Sequence, residues 1–186
     1  MAGNLELYQE AIDQGHSAAW EQDWKSAARH YRRALQEFPE NPNALTSLGL
    51  ALYQLQDYDE ALRAYMLAAK LKPEDPLPLE KASELYELLG SYQRAVEVGF
   101  RCAELYAKQR DVEKALEGWQ RVVRINPEHL PAHSRLALVY ERLGKISQAV
   151  MEYLAITSLY QNGGDLPKAA QALQNAIRLQ PESPQV

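Results

Sequence analysis

The chain has 186 residues, of which 46% are hydrophobic and 24% charged, ordinary figures for a soluble globular domain with enough apolar material for a continuous core. A net charge of −5 and a pI near 5.4 set the whole-molecule field against nucleic acid and anionic membrane surfaces, and no stretch approaches the roughly 18 apolar residues of a membrane span. The start, Met1 to Glu6, lacks the basic residues and apolar run of a secretory signal, and the one cysteine, Cys102, cannot close an internal disulfide, so a cytoplasmic location is expected.

Taken in chain order, the hydrophobic spacing predicts ten helices, near 5–21, 24–37, 42–55, 58–71, 76–89, 92–109, 111–125, 130–143, 146–162 and 165–179. The second ends at Phe38-Pro39-Glu40, the fourth at Leu71-Lys72-Pro73-Glu74, the seventh at Ile125-Asn126-Pro127-Glu128 and the tenth at Leu179-Gln180-Pro181-Glu182. These prolines are 34, 54 and 54 residues apart, which is an internal repeat. Twelve residues before each stands an alanine, Ala27, Ala61, Ala115 and Ala169, and Ala95 and Ala149 hold the same place where the proline is missing. A bulky residue follows four positions on in most copies (Tyr31, Tyr65, Trp119, Tyr153, Leu173), and a further seam residue three beyond that (Ala34, Ala68, Cys102, Val122, Ile156, Ala176). That is one face of a helix, on which tiny residues let a neighbouring helix come close. Asp23, Asp57, Ser91, Asp111 and Asp165 stand where a side-chain oxygen caps the next helix, and Gly90, Gly144 and Gly164 stand where the preceding one ends. No Pro- or Gly-rich linker divides the chain, which predicts a single domain over 1–186.

On these residues the chain resembles the tetratricopeptide repeat, a 34-residue helix–turn–helix unit. The clearest copy runs from Pro42 to Asp75, with Leu45, Leu48, Gly49, Leu52, Tyr58, Ala61, Tyr65, Ala68 and Pro73 at the signature spacing. The repeats fall near 8–41, 42–75, 76–129 and 130–183. The last two are 54 residues long, and Tyr86-Glu87, Gly90, Leu105-Tyr106 and Pro127 in one match Tyr140-Glu141, Gly144, Leu159-Tyr160 and Pro181 in the other. Fifty-four residues are one repeat plus one helix, so the middle helix is expected to close one repeat and open the next, giving three stacked helices per unit. The resemblance implies an all-α fold, a right-handed α-α superhelix of about ten antiparallel helices whose first helices line a concave face.

Catalytic and metal chemistry find no support in the residues. His129 and His133 are four apart, but Pro131 lies between them and no Cys or carboxylate cluster completes a ligand set. Cys102 falls on the small-residue seam, which predicts a buried inert thiol. Gly163-Gly164 follows a helix and carries no Lys-Ser/Thr, so it is not a phosphate loop. The chain reads as a non-enzyme without a cofactor.

For the family, ligand contacts come from the first helix of each repeat. Transferred by position, these are His16 and Trp20; Asn43, Thr46, Leu50 and Tyr53; Glu80, Glu84 and Glu87; Arg101, Glu104 and Lys108; and Ser134, Arg135, Leu138, Glu141 and Arg142. Trp20, Leu50 and Tyr53 are large apolar groups on a face expected to meet solvent. Glu80, Glu84 and Glu87, at i, i+4 and i+7, share one side of a helix and predict an acidic stripe suited to Lys or Arg on a partner. The stripe of Lys, Asn and Arg with which some family members hold C-terminal carboxylates is replaced here by Ile12, His16, Thr46, Leu50, Glu80 and Glu84, which argues against that mode. The expected function is a scaffold or adaptor that binds a basic or apolar protein segment, with no nucleic-acid or membrane partner. The alternative is a structural element that self-associates or forms the N-terminal repeat segment of a larger multidomain protein, since Leu179 to Pro184 has the form of a hand-over to a further repeat.

Overall fold

The computed structural model describes residues 3–180, and among them it contains ten α-helices and no strand. They are α1 (Leu5–Trp20), α2 (Trp24–Glu37), α3 (Pro42–Gln54), α4 (Tyr58–Leu71), α5 (Pro76–Leu88), α6 (Tyr92–Lys108), α7 (Val112–Ile125), α8 (Leu130–Arg142), α9 (Ile146–Asn162) and α10 (Leu166–Leu179). Each lies within a residue or two of the span its hydrophobic spacing predicts. The fourth proline stop, Pro181, and the hand-over residues to Pro184 lie outside the described residues.

The punctuation acts as its chemistry dictates. The carboxylates of Asp23, Asp57, Asp111 and Asp165 accept from the backbone N–H three residues on, at 3.0, 3.4, 3.1 and 3.2 Å, satisfying donors that the first helical turn leaves open. Pro42 and Pro76 open α3 and α5, where the missing N–H costs nothing. Gly90, Gly144 and Gly164 end helices at φ of 71°, 69° and 77°. At the equivalent turns Gln22, Gln56 and Arg110 adopt φ of 60°, 62° and 64°, a left-handed conformation that a Cβ disfavours by about 1–2 kcal/mol.

The six repeat-defined alanines are all buried, with Ala27, Ala61, Ala95 and Ala149 wholly inaccessible. Their ring partners Tyr31, Tyr65 and Trp119 are buried with them, while Tyr153 and Leu173 are half-buried. The core is therefore a ladder of small residues into which one large ring per repeat is set, the alternation that fills a helix–helix interface without voids.

The helices gather into two units, residues 1–105 and 106–186. In the first, α1 packs on α2, α2 on α3, α3 on α4 and α4 on α5. Helix α6 joins it where the Ser83 hydroxyl donates to the Ala95 carbonyl at 2.9 Å and the Cys102 thiol to the Pro76 carbonyl at 3.4 Å. In the second, α7 packs on α8, and α9 packs on both α8 and α10. Helix α9 is thus the shared middle helix that the 54-residue period predicts.

Candidate functional site

In the N-terminal unit side chains of α1, α2 and α3 surround an open cavity of about 330 Å³, lined by His16, Ala19, Trp20, Trp24, Tyr31, Ser47 and Leu50. Three of the residues expected to meet a ligand, His16, Trp20 and Leu50, therefore come together. Trp20, the last residue of α1, is 89% exposed, and Leu50 is 43% exposed. In its lining the Tyr31 ring lies edge-on to His16 with centroids 5.7 Å apart. Burial pushes the Tyr31 hydroxyl up, an effect that its hydrogen bond with Ser47 partly offsets.

Tyr53 continues this face along α3, its ring 5.7 Å from that of Tyr58, and remains exposed. Asn43 is exposed in the first turn of the same helix. Thr46 turns back on its own helix, donating to the Pro42 carbonyl at 2.8 Å. On α5 the expected acidic stripe is partly neutralised, because the Lys81 ammonium donates to both oxygens of Glu84, at 2.9 and 3.1 Å, and stands 3.7 Å from Glu80. Burial is the largest single influence on the Lys81 pKa and pulls it down, but the hydrogen bonds and charges of Glu84 and Glu80 together outweigh it and leave the pKa raised. Glu87 is half-buried on α5. On α6, Arg101 is exposed and Glu104 half-buried.

In the C-terminal unit Arg135, Leu138 and Arg142 are exposed along α8. Beside them Glu141 accepts from Arg178 at 2.7 Å and from the Tyr153 hydroxyl at 2.9 Å, and the Arg178 guanidinium holds its carboxyl below the usual range. A smaller hollow of about 180 Å³ is lined by Ser134, Tyr153, Tyr160, Lys168, Gln171 and Asn175, among others. Lys168 is engaged there, 2.7 Å from Asp165 and over the Tyr160 ring at 5.4 Å.

The two histidines four residues apart have separate duties. His129 caps α8, its Nδ1 accepting from the Ala132 N–H at 3.2 Å. His133 is buried, with Nδ1 2.6 Å from Glu152 of α9 and Nε2 2.9 Å from the Pro127 carbonyl. Both of its nitrogens face acceptors, so the protonated ring donates to both at once, which is why Glu152 raises its pKa. Among the described residues no group of three or more His, Cys, Asp or Glu could hold a metal ion, and no helix is long and apolar enough to cross a membrane.

The family model described as tetratricopeptide repeat matches residues 12–76 and 100–157, about two thirds of the chain. The chain belongs to the tetratricopeptide repeat family. This repeat protein is 27% identical to mouse (Mus musculus) Superkiller complex protein 3 over 91% of its own length, but spans only 12% of that relative. Among solved structures, PcrH in complex with the chaperone binding region of PopD superposes with a TM-score of 0.61 at 18% identity, over 67% of this chain and 94% of that one. The TPR2B domain of yeast Sti1 in complex with pHsp70 gives 0.59, also at 18% identity, over 67% and 99%. These likenesses concern the fold.

Sequence reasoning missed Trp24 and Ser47 as cavity walls. Trp24 opens α2 where Tyr58 and Tyr92 open α4 and α6, so the repeat pattern marks an aromatic there but not its direction.

Proposed function

We propose that this repeat protein is a binding module that holds a segment of another protein against the inward side chains of its first helices. The observation that carries the reading is the aromatic cavity of residues 3–105, where Trp20 and Leu50 remain exposed beside His16 and Trp24. A monomeric helical array gains nothing in stability from such groups in water, whereas an incoming side chain would bury them. Support also comes from solved relatives of this fold, PcrH and the TPR2B domain, each described in complex with a partner. Tyr53 and Asn43 extend the same surface on α3, Glu80, Glu84 and Glu87 on α5, and Arg101 and Glu104 on α6. Arg135, Leu138 and Arg142 offer a separate surface of mixed character on α8. No acid, base and nucleophile converge on these surfaces, so catalysis has no part in the reading. A cytoplasmic setting belongs to it, supported by a sole cysteine that is a buried thiol.

The test places a photo-crosslinking amino acid at Leu50, and at exposed Gln36 as a control, and irradiates the protein in extract. Specific adducts from Leu50 alone support the binding surface; equal labelling at both positions, or none at either, overturns it.

A second reading, self-assembly, draws on the C-terminal unit, where Met151 and Leu166 are 64% and 65% exposed. Light scattering decides it: a mass above one chain that Met151→Glu returns to one chain supports assembly, and a monomer across concentration removes it.

A further inference from the structure

The lining of the cavity between α1, α2 and α3 bears on which partner it accepts. It consists of indole, phenol, imidazole and aliphatic groups and one hydroxyl, and contains no carboxylate, lysine or arginine. The hydroxyl, Ser47, acts on the neighbouring Tyr31 phenol. A charged side chain entering here would lose its hydration with no counter-charge to replace it. A bulky uncharged side chain would bury the faces of Trp20 and Leu50 at no such cost.

The surroundings of the cavity have the opposite character. Residues 1–105 carry 17 Asp and Glu against 10 Lys and Arg, whereas residues 106–186 carry 8 against 10. The net negative charge of the chain therefore resides in the unit that holds the cavity. Beyond Leu50 the same helix carries the exposed Tyr53, and α5 with its Glu80, Glu84 and Glu87 follows in the same unit, packed on α4 as α4 is on α3.

Building on the binding reading above, we propose that the occupant is a cationic peptide segment that inserts one Leu, Phe or Trp side chain into the His16–Trp20–Trp24–Leu50 cavity and carries Lys or Arg on flanking positions that stay outside it. The apolar anchor supplies the buried contact, and the flanking cations are drawn by the excess of carboxylates over about one Debye length. A partner presenting an acidic stretch or a terminal carboxylate meets a lining with no lysine or arginine to neutralise it.

The test selects a phage-displayed library of random 12-residue peptides on the immobilised full chain, then measures the best synthetic peptide against the parent, Trp20→Ala, Leu50→Glu and the control Gln36→Ala. Both cavity residues are exposed, and circular dichroism melts check that the variants remain folded. The expected result is a consensus of one bulky apolar residue flanked by Lys or Arg. Affinity should fall about tenfold or more in both cavity variants and not in the control, and should weaken as salt rises from about 50 to about 500 mM. An acidic consensus, an obligatory free C-terminus, or equal binding to all variants overturns this inference while leaving peptide binding standing. A failure to enrich any peptide sinks both. A dimer in the parent that Trp20→Ala dissolves would show that a second copy fills the cavity, and also overturns the inference.

Discussion

Gly49 of α3 lies directly against the ring of Tyr65 on α4: a Cβ added at Gly49 would stand 2.8 Å from Cε1 of that ring. Gly15 has the same relation to Tyr31, at 2.5 Å. In each of the first two repeats the aromatic that fills the helix–helix gap thus requires a glycine across from it. Gly49→Ala gains up to about 1 kcal/mol in helix propensity but forces the buried ring to move, which costs about 1–3 kcal/mol. The net expectation is a lower melting temperature for Gly49→Ala and Gly15→Ala; a rise in either melt would mean that the rings yield freely.

The alanine seam gives a second expectation. Ala61 and Ala149 are wholly buried, so Ala61→Leu and Ala149→Leu should each destabilise by about 1–3 kcal/mol. The change Glu40→Gln, on an exposed loop residue, should leave the melt in place. Two alanine variants as stable as the parent would remove these positions from the helix–helix contacts.

The turns predict opposite signs at matching places. Gln56 sits at φ 62° and Gly144 at φ 69°, with open space around the latter. Gln56→Gly relieves a strained conformation and should stabilise by up to about 1 kcal/mol, and Gly144→Ala should cost a similar amount. Denaturant midpoints measure both, and shifts of the same sign would contradict the backbone argument.

His133 and His129 predict a stability optimum. The Glu152 carboxylate raises the pKa of His133 above 6.5. Its contribution is therefore fully present below pH 6.5 and is lost as pH rises through the folded-state value. Burial lowers the pKa of His129, so the unfolded chain takes up that proton first and stability falls as pH drops below 6.5. Between them the two groups favour folding most near pH 6.5. His133→Gln should flatten the slope above that pH and His129→Asn, which keeps a capping oxygen, the slope below it. Urea midpoints from pH 5 to 9 that keep both slopes in the variants would assign the dependence to other groups.

What the sequence determined by itself is the local part of this protein. Helix spans, capping aspartates, glycine stops, the alanine seam and the shared role of α9 follow from spacing along the chain, because a helix sets the relative direction of residues three, four and seven apart wherever it packs. Part of the cavity lining was legible for the same reason: His16, Trp20 and Leu50 were marked by their place on α1 and α3. The rest depended on side chains from different helices, whose meeting is set by crossing geometry and rotamer rather than by period. The sequence showed three glutamates in a row on α5 but not that Lys81 would reach two of them. It showed two histidines four apart but not that Glu152, nineteen residues further on, would claim one while the other capped its helix. It also gave no sign that Trp24 would turn into the cavity. Only packing decides such pairings, since each is a choice among several neighbours that lie within reach of the same side chain.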